Sequence, residues 1–258
     1  MNDAPELTSP SDASGNEETD VPASGFTVFD PDVGTSLGFS RSVAGTLQDK
    51  DGIGTGFTHR LPGTGSALAE QDSNIDVDLA TGRMLLSTTN ADFNHRVNLS
   101  SMETLGILLS EIDTDDFSVT TLVRNVDVNG PARQFGLYAG SATTETIRTM
   151  VHENNHFLVS RNETSTDENW FSNSGAFSTG DDLRLTLSRT SQKWKMAWTN
   201  LTDPSGNGES PEFDVPWLDD EQDLYVGVYG AKGGVPYTID EFHVETGSSE
   251  TFAATLSA

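Results

Sequence analysis

The run Asp49-Lys50-Asp51-Gly52-Ile53-Gly54-Thr55-Gly56 is where residue types and spacing first suggest chemistry. Two carboxylates two residues apart, ahead of glycines that permit a sharp turn, make half of an oxygen shell for a hard cation such as Ca2+. The run is not an EF-hand loop, because a third acidic ligand and the glutamate at the twelfth position are missing. Nor is it a dinucleotide fingerprint, since no helix follows to receive a phosphate. The alternative is a plain Asp-Gly turn between two strands. The remaining acidic clusters, Asp113/Asp115/Asp116 and Asp219/Asp220/Glu221/Asp223, read as solvated turns.

Aromatic side chains supply the second kind of chemistry. Trp170, in ENWFSNSG, and Trp217, in VPWLDD, stand in polar loops outside any regular alternation. Exposed rings in loops stack on sugar faces, or else anchor the loop over the edge of a core. Trp194 and Trp198 share a phase with Met196 and read as core. The histidines do not gather. His152 and His156 are four apart, but a zinc pair at that spacing needs a helix and the surroundings read as β. His59, His95 and His243 are isolated.

The elements that must position these residues are strands. Short runs rich in β-branched and aromatic residues recur at 25–29, 36–47, 83–89, 103–110, 117–126, 134–140, 146–152, 156–161, 183–189, 193–199, 224–230 and 237–245. Each is bounded by Gly, Asn, Asp or Pro. Leu183, Leu185 and Leu187 alternate with Arg184, Thr186 and Ser188, and Trp194, Met196 and Trp198 alternate with lysines and Ala197. That pattern predicts a hairpin with one buried face. No helical stripe lasts three turns; 64–72 could make one turn at most. The expected fold is all-β, an antiparallel two-sheet β-sandwich in a single domain over 25–246. Residues 1–24, poor in apolar side chains, read as a disordered acidic leader or linker, and 247–258 as a flexible tail.

Charge narrows the partners. The 258 residues carry 40 acidic against 14 basic side chains, a net charge of -26, which excludes ordinary nucleic-acid binding and attraction to anionic membranes. No apolar run nears the ~20 residues of a spanning helix. Without cysteine there is no disulfide, zinc-thiolate site or thiol nucleophile. So acidic a surface stays hydrated in salt, which points to a marine or halophilic setting, or else serves solubility alone. No secretion signal is legible after Met1, so the chain reads either as cytoplasmic or, the reading favoured here, as a mature extracellular or cell-surface domain of a larger protein.

The order GDDLRLTLSRTSQKWKMAWTNL, LDDEQDLYVGVYGAKGG and YTIDEFHVE, with DKDGIGTGFTHRLPGTG, DLATGRMLLSTT, DDFSVT and QFGLYAG upstream, resembles the concanavalin A-like lectin/glucanase superfamily in its laminin-G-like bacterial branch. The resemblance covers roughly 25–246. It implies a jelly roll whose concave face or rim loops bind glycans, often with a structural Ca2+. A closing-strand aspartate often completes that calcium site, which assigns Asp240 to the set with Asp49 and Asp51. Carried over, the family implies a non-catalytic carbohydrate-binding or adhesion module with Trp170, Trp217, Tyr229 and Tyr237 as ligand-binding residues.

Two catalytic alternatives on the same fold follow from the resemblance. Superfamily glucanases carry Glu-Ile-Asp-x-x-Glu on one strand, with the outer carboxylates ~5–5.5 Å apart for retention. Glu111-Ile112-Asp113 matches, but Asp116 stands at the third acid and the segment reads as a loop. Tyr229 to Tyr237 is faintly similar to the tyrosine motif of jelly-roll alginate lyases, without that family's Gln-x-His and Arg-x-Glu-x-Arg companions. A structural domain that engages proteins rather than glycans is the third possibility.

Overall fold

The computed structural model describes residues 6–8, 27–29, 35–61, 70–87, 103–109, 116–127, 134–142, 145–152, 156–163, 166–175, 177–218, 224–231 and 236–246. In chain order the strands are β1 (Glu6–Thr8), β2 (Thr27–Phe29), β3 (Thr35–Gly38), β4 (Ile75–Asp78), β5 (Arg83–Leu86) and β6 (Glu103–Leu108). There follow β7 (Phe117–Arg124), β8 (Gln134–Ala142), β9 (Glu145–His152), β10 (His156–Glu163), β11 (Thr166–Ser174) and β12 (Leu183–Thr190). The last five are β13 (Lys193–Asn200), β14 (Gly208–Glu209), β15 (Phe213–Asp214), β16 (Tyr225–Ala231) and β17 (Tyr237–Thr246). No α-helix occurs among the described residues; Pro204–Gly206 and Pro216–Leu218 form single 3₁₀ turns.

Two antiparallel sheets make the expected β-sandwich. One has six strands in the order β11-β10-β9-β8-β16-β6. The other has nine: β14-β13-β12-β7-β17-β5-β4, with β15 beside β13 and β3 beside β17. The chain crosses repeatedly between them, and its last two strands take interior places: β16 lies between β8 and β6, and β17 between β7 and β5. Neither sheet is complete until the final strands arrive, a topology of long sequence separations that folds slowly.

Period-two alternation builds the core. Leu183, Leu185 and Leu187 of β12 face Trp198, Met196 and the neighbourhood of Trp194 on β13, in the register Leu185↔Trp198 and Leu187↔Met196. All six are buried. Phe117 on β7 meets the Trp194 ring edge-on at 5.5 Å. The opposite face of this hairpin carries ion pairs instead: Arg184 with Glu241, Lys193 with Asp214 and Lys195 with Glu209.

Several stretches differ from the sequence expectation, among them Ile75–Asp78, a strand that no expected run covers. Of 36–47, strand pairing stops at Gly38 and the chain becomes a folded loop. The segment ENWFSNSG, read as polar loop, falls almost wholly in the edge strand β11 (Thr166–Ser174). Within the leader, Glu6–Thr8 pairs with Thr27–Phe29 as a two-stranded ribbon. The rest of 1–24, residues 62–69 and the tail 247–258 lie outside the described residues.

The β12–β13 turn has a conformation its sequence does not favour. Ser191 and Gln192 have φ of 49° and 63°, the left-handed pair of a two-residue hairpin turn that Asn-Gly usually fills. The Ser191 N–H donates to Asp116 Oδ1 at 2.6 Å, which fixes the turn from outside. Replacing Gln192 by glycine removes the steric cost and should stabilise the protein by about 1 kcal/mol, raising Tm by roughly 2–4 °C. Calorimetry showing no gain would mean the turn is not strained.

Candidate functional site

The Asp49 run folds as a compact loop stitched to β4. Asp49 is completely buried. Its Oδ1 accepts the N–H of Asp51 at 2.9 Å and of Ile53 at 2.8 Å, and its Oδ2 accepts the N–H of Val77 at 2.9 Å. Three backbone donors make burial of this carboxylate tolerable. Gly52 sits at φ 84°, the left-handed geometry for which glycine is suited, and the Lys50 N–H bonds to Ile75 O.

Asp49, Asp51 and Asp76 bring ligand oxygens within 4.8 Å of one another, so three carboxylates stand close enough to hold a metal ion. Asp76 is the residue the sequence reading missed. It lies 25 positions past Asp51 on a strand of only four residues, and pairing, not spacing, delivers it. The donors are hard oxygens, as Ca2+ prefers. Yet the Lys50 ammonium already lies between two of them, 2.7 Å from Asp51 Oδ2 and 2.8 Å from Asp76 Oδ1. These carboxylates hold the lysine well above its usual range. A divalent ion must displace it.

Asp240 does not join this cluster. It is on β17 beside β5 and β7, where Oδ1 accepts from Arg83 Nε at 3.0 Å and Oδ2 from Arg124 Nε at 2.6 Å. Arg124 also reaches Asp182 at 2.8 Å. The first and last strands of the nine-stranded sheet do lie together, with Phe242 opposite Leu37, but the pairing register leaves Asp240 between two guanidinium groups. Its role is to balance charge on the sheet's outer face.

The expected ligand-binding aromatics part company. Tyr229 and Tyr237 are 1 % and 3 % exposed. Both border a void of about 10 Å³ between the sheets; the Tyr229 hydroxyl donates to Thr149 O at 3.0 Å and Tyr237 packs 4.4 Å from the Phe135 ring. Neither offers a stacking face to solvent: Tyr237 turns into the core with Ile239, whereas Tyr229, on the face opposite Val226 and Val228, is covered within the cluster of Leu61, Tyr138 and Ala231. Trp217 lies on the 3₁₀ turn after β15, half-buried against the core. Trp170 lies in β11, where the pairing slips between Val159 and Ser160 and skips it.

The catalytic alternatives rest largely on residues outside those described. Glu111 and Asp113 lie outside the described residues, as do 219–223. Asp116 is spent on the turn at Ser191. His152 and His156 sit opposite one another across the β9–β10 hairpin rather than on a helix. His243 pairs with Glu245 at 3.1 Å.

A polar surface that the sequence did not disclose lies on the six-stranded sheet. Phe135, Leu137 and Ala139 of β8 enter the core, so Gln134, Gly136, Tyr138 and Gly140 face the other way. On β9, Ile147 and Val151 enter the core while Thr146 and Arg148 face out beside them, Arg148 opposite Tyr138 and Thr146 opposite Gly140. Gln134, Tyr138, Thr146 and Arg148 are nevertheless each 0 % exposed. The segment 58–61 extends this sheet past β6: His59 and Gly106 exchange backbone bonds at 3.0 and 2.9 Å. Leu61, Tyr229 and Ala231 pack with Tyr138 as a second apolar cluster. His59 stacks 5.5 Å from Tyr225, and burial lowers its pKa. A Cβ on Gly106 would come within 2.3 Å of the Tyr138 hydroxyl, so glycine there lets the ring lie flat across the sheet.

Four polar atoms on this face have no hydrogen-bond partner within the protein: Nε2 and Oε1 of Gln134, the Tyr138 hydroxyl and the Thr146 hydroxyl. Buried polar groups are ordinarily paired, and an unpaired one costs about 1–3 kcal/mol.

No protein family and no curated protein matches the sequence. Solved structures share the fold. The GH43 protein BlXynB from Bacillus licheniformis superposes with a TM-score of 0.52 at 13 % identity, over 64 % of this chain and 33 % of that one. A xylan β-1,4-xylosidase from Bacillus halodurans C-125 gives 0.50 at 11 % identity, with the same coverages. The match thus spans a third of the length of these proteins. Winged bean acidic lectin, complexed with methyl-α-D-galactose, aligns over 82 % of this chain at a TM-score of 0.47, too distant to argue from. The class of protein defined is a two-sheet antiparallel β-sandwich.

The metal question has a direct test. Removing the resident ammonium with Lys50→Met should make the Ca2+-induced rise in Tm larger than in the wild type, because a ligand bound only by the native state stabilises it in proportion to affinity. Equal shifts, or none in either protein, would show that the three carboxylates do not act as a metal site.

Proposed function

We propose that this chain is a non-catalytic carbohydrate-binding or adhesion module, secreted or displayed at a cell surface as part of a larger protein. The observation that carries the reading is the second face of the six-stranded sheet, where the buried amide of Gln134 and the buried hydroxyls of Tyr138 and Thr146 have no hydrogen-bond partner. Sugar hydroxyls supply both donors and acceptors for such atoms. The β-sandwich it shares with part of a GH43 protein and part of a xylan β-1,4-xylosidase supports a carbohydrate-related role. Ca2+ at Asp49, Asp51 and Asp76 is the stabilising ion in this proposal, entering in place of the Lys50 ammonium.

Incubation with a panel of soluble and insoluble polysaccharides, with Ca2+ or EDTA, tests the reading. Retention on a polysaccharide without release of sugar is the expected result. Released fragments would make the chain an enzyme and direct attention to residues 110–117. Neither retention nor release would favour a structural, protein-engaging role.

A further inference from the structure

Resting on that glycan-binding reading, we infer that residues 58–61 form a releasable strap along the edge of the six-stranded sheet, and that a ligand reaches Tyr138 from this edge when the strap lifts. Tyr138 is fully buried in the closed form described here. Its ring lies across the sheet with the hydroxyl over Gly106 of β6, so near that a Cβ there would stand 2.3 Å from the oxygen. Gly106 is also the residue to which His59 of the strap is bonded. The strap therefore stands beside the polar end of Tyr138, whose hydroxyl has no hydrogen-bond partner within the protein. Leu61 completes the closure by packing with Tyr138, Tyr229 and Ala231.

What holds the strap is slight beside what holds its neighbours. β6 and β16 pair over six residues each. The strap pairs with β6 at one, where His59 and Gly106 exchange bonds of 3.0 and 2.9 Å. At Leu61 a side chain replaces the ladder: the Thr104 hydroxyl accepts the Leu61 N–H and donates to Leu61 O, both at 3.1 Å. The remaining tie is ionic. Arg60 pairs with Asp72 and lies 3.9 Å from Glu70, which clasps the strap to a segment that Gln48 anchors through backbone bonds to Glu70 and Asp72. Segments with few ladder bonds open locally at much lower cost than core strands do. Phe57, buried in the core, fixes the end about which 58–61 lifts. Lifting frees the Tyr138 hydroxyl to donate to, or accept from, a sugar hydroxyl.

Amide hydrogen exchange on the full chain, without ligand, tests the strap. The amides of His59, Leu61 and Gly106 should exchange at least about tenfold faster than those of β16. Arg60→Met removes the clasp and should speed these three amides a further fivefold or so while leaving β16 unchanged. Asp72→Asn, which keeps the side chain's size, should do the same. Both variants should also bind more tightly, by about the same factor, to oligosaccharides cut from whichever polysaccharide the wild type retains, because a larger fraction of the protein is open. Exchange at the three amides as slow as in β16, or unmoved by either variant, would overturn the strap whatever the glycan result. Faster exchange with unchanged affinity would overturn its role as the entrance. Retention of no polysaccharide by a protein whose strap opens as described would overturn the glycan-binding reading instead.

Discussion

The rest of the structure depends on a double burial at the six-stranded sheet. A sheet in a sandwich normally covers one face and leaves the other to water. Here the strands β8, β9 and β16 bury both. Phe135, Leu137, Ile147, Val226 and Val228 fill the space between the sheets, and Tyr138, Tyr229 and Leu61 form a second cluster behind them. Apolar groups meet that demand without help. Polar ones require partners, and on the outer side four polar atoms lack them. Folded proteins keep such atoms at a cost, and a bound water, ion or ligand is what meets it. The proposed function follows from this imbalance.

The nine-stranded sheet solves a different problem with the same alternation. Its inner face is apolar, and its outer face must hold charge in a strongly acidic protein. The scarce cations are placed between pairs of carboxylates: Arg124 between Asp182 and Asp240, Lys50 between Asp51 and Asp76. Each exposed pair contributes little by itself. Their joint effect is to keep acidic side chains on adjacent strands from repelling one another, which is why Asp240 serves the sheet and Asp76 completes the acidic loop.

Much of the fold was legible because its signal is local. The alternation Leu183/Leu185/Leu187 against Trp194/Met196/Trp198 marks both strands and their buried side, and the structure places them so. β11 was illegible because TDENWFSNS pairs along one side only, and an edge strand needs no apolar period. The stretch 39–47 misled in the opposite sense: its apolar residues Phe39 and Leu47 are buried from a loop bonded through the Val43 N–H to Gly54 O and the Leu47 N–H to Phe57 O. At the candidate site, Asp49 and Asp51 were visible as neighbours in sequence, whereas Asp76 arrives through pairing. Tyr229 and Tyr237 looked like binding residues because their type suits sugars, but type does not disclose that both are buried, Tyr237 in the core and Tyr229 in the second cluster. Gln134, Tyr138 and Thr146 carry no motif. Only the register of β8 against β9 and β16 brings them together.

The most direct measurement is an NMR titration of the isotope-labelled protein with an oligosaccharide several sugars long, following the side-chain amide of Gln134 and the backbone amides of β8 and β9. The account predicts saturable shifts in the Gln134 side-chain amide and around Tyr138 and Thr146, with the Asp49 loop and the turn carrying Trp217 little changed. Shifts confined to those two loops, with β8 and β9 silent, would contradict it.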